Sequence, residues 1–137
     1  MEGNCLFCKI VNGEIPSKKI YEDDDFVAFL DIAPIAKGHA LVIPKKHFER
    51  FDDMLDELFS GYGKAIKKVS SAVVKSLNAD GYNIIVNNGS AAGQVVFHCH
   101  AHVIPRFAND GLKMQWPHGK YDGSDMDIYA KKISKHL

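Results

Sequence analysis

Apolar and polar positions follow readable periods along most of this chain. Phe26-Val27-Ala28-Phe29-Leu30 is a compact apolar run between the acidic Glu22-Asp23-Asp24-Asp25 and Asp31. His39-Ala40-Leu41-Val42-Ile43 is a second run, reached through Pro34 and Gly38 and ended by Pro44. Short runs rich in β-branched and aromatic residues, flanked by turn formers, predict strands. The acidic run reads as a solvated turn. Over residues 54–77 the period changes: Leu55, Leu58, Tyr62, Ile66, Val69, Val73 and Leu77 recur every three or four positions. That is one apolar stripe on a long helix. Lys64, Lys67, Lys68 and Lys75 fall largely off the stripe, and Asp52 and Asp53 suit its start, where carboxylates cap free N–H groups. Gly61 and Gly63 weaken that helix by roughly 1 kcal/mol each relative to Ala. Asp80-Gly81 marks the turn that follows, residues 82–87 a third strand, 88–94 a loop of small side chains, and 95–105 a fourth strand. Ser124 with Asp127 resembles a capping box ahead of a short amphipathic C-terminal helix carrying Met126, Tyr129, Ala130, Ile133 and Leu137. Residues 5–19 are irregular, with room for one helical turn. The fold class is α+β: a mostly antiparallel sheet, one long helix and a short C-terminal helix in a single domain over 1–137.

Composition narrows the function. The chain has 137 residues, enough for one core. It is 46% apolar and 25% charged, ordinary for a globular protein. No apolar run approaches the roughly 18 residues of a membrane span. Met1-Glu2-Gly3-Asn4 does not open a signal peptide. A cytoplasmic protein without a membrane partner is expected. Lys plus Arg and Asp plus Glu both number 17, so no basic field favours a nucleic-acid polymer. A small phosphate-bearing ligand needs only a local site. Three cysteines without a secretory signal argue against a disulfide framework.

Seven histidines are many for this length, and three of them fall in Phe97-His98-Cys99-His100-Ala101-His102-Val103. In an extended chain, side chains two apart share a face. His98, His100 and His102 then line one face, while Cys99, Ala101 and Val103 pack behind it. Gly93-Gln94 ends a loop whose small residues leave N–H groups free for anions. Three isolated imidazoles with no shared role is the bland reading. A metal site is the second, because His-x-His offers two imidazoles to zinc. A nucleophilic imidazole supported by its neighbours is the third. Cys5-Leu6-Phe7-Cys8 is by itself half a zinc site or simply two reduced thiols.

Gly93-Gln94 followed by His98-x-His100-x-His102 resembles the histidine-triad (HIT) family. Phe29-Leu30-Asp31-Ile32 and Lys37-Gly38-His39-Ala40-Leu41-Val42-Ile43-Pro44-Lys45-Lys46-His47 look like its first block. Asn87 matches an asparagine at a strand end, and Gln115-Trp116-Pro117 is similar to the C-terminal segment of the Hint branch. The resemblance covers roughly residues 5–117 and leaves 118–137 as a C-terminal extension. It implies a HIT-like fold and a nucleotide hydrolase or transferase. Its substrates would be nucleoside phosphoramidates or dinucleoside polyphosphates, such as adenosine or guanosine monophosphate derivatives, with nucleotidyl-sulfate esters also open. His100 would attack the α-phosphorus to give a covalent nucleotidyl-histidine. His102, His98 and His39 would complete the catalytic group.

By the same resemblance Asp31 would meet ribose hydroxyls, and Phe29 and Ile32 would wall the base. Asn87, Gly93 and Gln94 would complete the substrate site, with Gln94 near a leaving-group oxygen. The family often carries a hydroxyl residue just after Gly-Gln. Val95 stands there, which leaves the proton donor to the leaving group unassigned. Some bacterial-type members imply a structural zinc on Cys5, Cys8, His47 and His98, and no organic cofactor. A homodimer is implied too, with the long helix and one strand edge as contacts and Trp116 reaching the partner's site or packing locally. Two other functions compete: a metallohydrolase whose zinc sits on His98, His100 and His102, and a non-catalytic nucleotide-binding scaffold.

Overall fold

Five strands and three α-helices form from these patterns in the computed structural model, which describes residues 2–137. In chain order they are α1 (Leu6–Val11), β1 (Lys19–Glu22), β2 (Phe26–Leu30), β3 (Ala40–Pro44), α2 (Asp56–Leu77), β4 (Gly81–Val86), β5 (Ala101–Arg106) and α3 (Asp125–Ser134). The strands make one sheet in the order β1-β2-β3-β5-β4, with every neighbouring pair antiparallel. The acidic turn between β1 and β2 is built by Asp23, whose Oδ1 accepts the N–H groups of Asp25 and Phe26. The structure is thus α+β, as the patterns predict.

The alternation within each strand sends side chains to two faces. On one face Phe26, Ala28, Ala40, Val42, Ala101 and Val103 meet α2. The helix answers with Tyr62, Ala65, Val69 and Val73, all buried. Tyr62 stacks on Phe26 with ring centroids 5.3 Å apart, and its hydroxyl donates to the Val42 carbonyl at 2.9 Å. On the other face Val27, Phe29, Leu41 and Ile43 meet Phe7 and Ile10 of α1. At about 25 cal/mol per Å² of apolar surface, such burial dominates what holds the layers together. Leu55 and Leu77, the two ends of the apolar stripe, are exposed.

Four details depart from the sequence reading. The helix begins at Asp56, and Asp52 and Asp53 lie in a separate 3-10 turn, where Asp53 Oδ2 accepts the Arg50 N–H at 3.1 Å. The predicted strand over 95–105 forms only from Ala101. β3 and β4 both end their ladders with β5 at Ala101, and although β3 runs on to Pro44 the earlier residues do not pair with it. The loop after β3 holds that segment instead, through the Cys99 N–H to the Phe48 carbonyl at 2.6 Å. The capping box before α3 does not form, since the Ser124 side chain makes no cap hydrogen bond. Trp116 is 73% exposed and so is not local core. α3 itself presents Met126, Ile128, Tyr129 and Ile133 to solvent, and Leu137 lies beyond its end. None of the described helices is long and apolar enough to cross a membrane.

Candidate functional site

Alternation survives through residues 98–103 although only the last three lie in β5. Cys99, Ala101 and Val103 enter the core beneath α2. His98 and His100 face the other way, against the ring of Phe7. His102 pairs with Leu41 in the β3–β5 ladder and so shares the face of Leu41 beneath α1. Cys99 is a packed thiol, pushed up to about 11 by burial.

Hydrogen bonds fix which nitrogen of each ring carries the proton. A carbonyl oxygen only accepts, so His100 Nδ1, 2.7 Å from the His98 carbonyl, is the N–H of that ring. Its remaining nitrogen then keeps a lone pair. The Ile35 N–H donates to His39 Nδ1 at 3.1 Å, which leaves the proton of neutral His39 on Nε2. His39 Nε2 lies 2.9 Å from His102 Nδ1 and donates to it. His102 therefore carries its own proton on Nε2. A backbone amide at one end of this chain thus sets an N–H donor at the other. Asp31 Oδ2 lies 3.8 Å from His39 Nε2, and Asp31 Oδ1 accepts the Ala33 N–H.

The same rings are held neutral. Burial pushes His102 down to about 4, and the facing His100 and His39 add to it. Burial also lowers His100 and His39, with the Asp31 carboxylate opposing the shift in both. Burial is the larger effect in each case, because removing an imidazolium from water costs more than one partly exposed carboxylate returns.

A cavity of about 480 Å³ opens beside the array. His100 and His102 line it, together with Phe29, Asp31, Ile32, Asn87 and Gly93. Gly93 has φ 91°, a conformation that glycine adopts without strain. Three predicted residues are not on this wall. His39 is buried behind His102. Gln94 is buried with its amide fully used: its Oε1 accepts the Gly89 N–H, and its Nε2 donates to the carbonyls of Glu49 and Val96. Gln94 braces the loop and does not line the cavity. His98 is turned to the far side.

There His98 meets the Cys-x-x-Cys pair. His98 Nε2 donates to the Pro44 carbonyl at 2.8 Å, so its Nδ1 keeps a lone pair. That Nδ1 lies 3.4 Å from Cys5 Sγ and 3.5 Å from Cys8 Sγ, and His47 Nδ1 lies 3.4 Å from Cys8 Sγ. All four ligand atoms lie within 4.8 Å of one another. Tetrahedral zinc with its usual bond lengths separates sulfur from nitrogen by about 3.5 Å. The donor types and spacing of this set, and the His98 tautomer, fit a metal ion. Among the described residues the other converging group is Asp31, His39 and His102. His98, His100 and His102 do not form one ligand set.

The sequence reading missed the contribution of the N-terminal segment. Phe7, Ile10 and Ile15 line the cavity with Leu41. The three-residue spacing of Phe7 and Ile10 on a helical turn was the signal for two of them.

Comparison with known proteins agrees with this geometry. Residues 12–109 match the HIT domain model. The chain is 51% identical over 129 residues to an uncharacterised HIT-like protein of Methanocaldococcus jannaschii, covering 94% of this chain and 98% of that one. It is 42% identical to an adenosine 5'-monophosphoramidase of Saccharomyces cerevisiae, covering 100% of this chain and 85% of the other. It is also 42% identical over 112 residues to an adenylylsulfatase of Arabidopsis thaliana, covering 82% and 57%. A solved HIT-family structure from Bacillus subtilis superposes with a TM-score of 0.92 at 44% identity, over 98% and 97% of the chains. A zinc-bound histidine-triad protein from Mycobacterium smegmatis superposes with a TM-score of 0.77 at 41% identity, over 87% and 86%. This chain belongs to the HIT family.

Proposed function

We propose that this protein is a nucleotide hydrolase or transferase that works through a covalent nucleotidyl-His100. One observation carries the reading. His100 stands on the wall of the cavity, neutral, with its Nδ1 proton committed to the His98 carbonyl, so its other nitrogen is a ready nucleophile. In the first step that nitrogen forms a bond to the α-phosphorus and the bond to the leaving group breaks. The leaving group departs with its electron pair and takes up a proton. Water then attacks the phosphorus and gives up a proton to solvent, the P–N bond breaks, and the ring recovers its lone pair. His102 Nε2–H stabilises the charge that develops on the phosphate oxygens. Asp31 accepts from ribose hydroxyls. The apolar wall of Phe29, Ile32 and Phe7 takes the base.

The names of the yeast and plant relatives support an adenosine monophosphate derivative with an amine or sulfate leaving group. Val95, 83% exposed at the cavity, has no proton to give that group. Zinc is the ion we assign to Cys5, Cys8, His47 and His98, supported by the donor set and the zinc-bound relative. Bound there it would have four protein ligands and would supply structure rather than chemistry. A metallohydrolase is disfavoured, because His98 is turned out of the array. A homodimer is supported by the free edge of β4, where Tyr82 and Ile84 are exposed.

His100→Ala tests the reading. Turnover of adenosine 5'-phosphoramidate should fall by at least about 10⁴-fold with an unchanged melting temperature. The wild-type protein quenched in turnover should show a nucleotidyl mass on the peptide containing His100. Substantial hydrolysis by the variant would remove the nucleophile. Metal analysis should find about one zinc per chain, and none would remove that part of the assignment.

A further inference from the structure

α1 carries two jobs within six residues. Cys5, its N-cap, and Cys8 face His47 and His98. Leu6, Phe7 and Ile10 line the cavity on the same helix. The Phe7 ring stands edge-on to His98 with centroids 5.9 Å apart and to His100 with centroids 5.1 Å apart, and it meets Phe29 at 5.6 Å. One aromatic ring therefore touches a candidate metal ligand, the proposed nucleophile and the opposite cavity wall.

The walls differ in how they are held. Phe29 and Leu41 sit in β2 and β3, which are paired to each other by a full ladder. α1 has no ladder, and isolated helices shorter than about 12 residues are marginal in water. Its hold on the body is the burial of Phe7 and Ile10 plus the thiol–imidazole cluster. Its N-cap is itself one of the cluster's thiols, since Cys5 Sγ accepts the Cys8 N–H at 3.4 Å. An ion gripping that cluster fixes the position and entry angle of the helix that forms one side of the cavity.

We propose that metal binding at Cys5, Cys8, His47 and His98 and nucleotide binding in the cavity are energetically coupled through α1, with Phe7 as the positioning residue between them. The inference rests on the nucleotide and zinc readings above and adds that the two sites are linked. Linkage is reciprocal: an ion that tightens the nucleotide site must itself be held more tightly when the nucleotide is bound.

The test uses the full chain, zinc and adenosine 5'-monophosphate. Calorimetric titration of the nucleotide into zinc-loaded and chelator-treated protein should show binding about 10-fold weaker without zinc. Chelator competition should show zinc held more tightly, by the same factor, when the nucleotide is present. Phe7→Leu should still take up zinc but lose most of the coupling. If zinc removal unfolds the chain, the cobalt(II)-loaded protein replaces it, and its thiolate–cobalt spectrum should shift on nucleotide addition. Equal nucleotide affinity in both metal states, or an unmoved cobalt spectrum with nucleotide bound, overturns the coupling and leaves both parent readings standing. Absence of zinc uptake, or of nucleotide binding to zinc-loaded protein, overturns it together with the parent reading that failed, and each appears in its own titration.

Discussion

α2 covers one face of the sheet with 22 residues, and α1 covers the other with six. The α2 face is closed mainly by apolar side chains, with the Tyr62 hydroxyl bonded to the Val42 carbonyl and Ser70 also buried. Its stability is a matter of area and fit, and its buried ionisable groups, Tyr62 and Cys99, stay neutral in acid. The α1 face has a smaller apolar cluster and holds the buried or half-buried histidines beside it. Burying imidazole is tolerable only while it stays neutral and hydrogen-bonded. The chemistry therefore sits on the face with less hydrophobic insurance. A site that must admit a ligand cannot also be closed by a continuous apolar stripe.

Acid should separate the two faces most strongly. His102 is held at about 4 in the folded chain and His39 is also lowered, both chiefly by burial, against about 6.5 when unfolded. Between those values the unfolded chain binds more protons than the folded one. Stability is then full above about pH 6.5 and falls as pH drops toward 4, by an amount on the order of 2–3 kcal/mol for His102 alone. Melting temperatures from pH 7 down to 4.5 check this, and a His102→Gln variant should show a shallower slope. A wild-type curve flat across that range would mean that these rings are protonated without cost. Turnover should hold to lower pH than an unperturbed imidazole allows, because burial also lowers His100.

The contrast also explains what the sequence revealed. The stripe on α2 is a local periodicity, and Tyr62, Val69 and Val73 are buried where it predicts. The histidine alternation is equally local, and it survives even where no strand forms. The start of β5 was not legible, because a strand is defined by pairing that no local period reports, and its ladders with β3 and β4 both stop at Ala101. In the six residues of α1 the only periodic signal is the single three-residue step from Phe7 to Ile10, and Ile15 lies beyond the helix with no period at all, so the cavity wall they form was missed. Cys5 and Cys8 were visible by their chemistry alone. Gln94 was read by position in a motif, whereas its three hydrogen bonds to the chain give it a structural task.

Two glycines within α2 sharpen the account of the other face, and they should respond in opposite directions. Helix propensity alone predicts that alanine at either position adds up to about 1 kcal/mol. At Gly61 a Cβ would lie 2.9 Å from Cε2 of Phe26, a buried ring stacked on Tyr62. Overpacking of that kind costs about 1–3 kcal/mol, so Gly61→Ala should be destabilising by about 1 kcal/mol net. At Gly63 nothing lies within 4 Å of the new atom. Gly63→Ala should therefore stabilise by about 0.5–1 kcal/mol, the smallest effect here. Denaturant midpoints at constant m-value measure both. Equal gains at the two positions would show that the Phe26–Tyr62 contact yields without cost, and that the α2 face is not the tightly fitted layer against which the histidine face has been set.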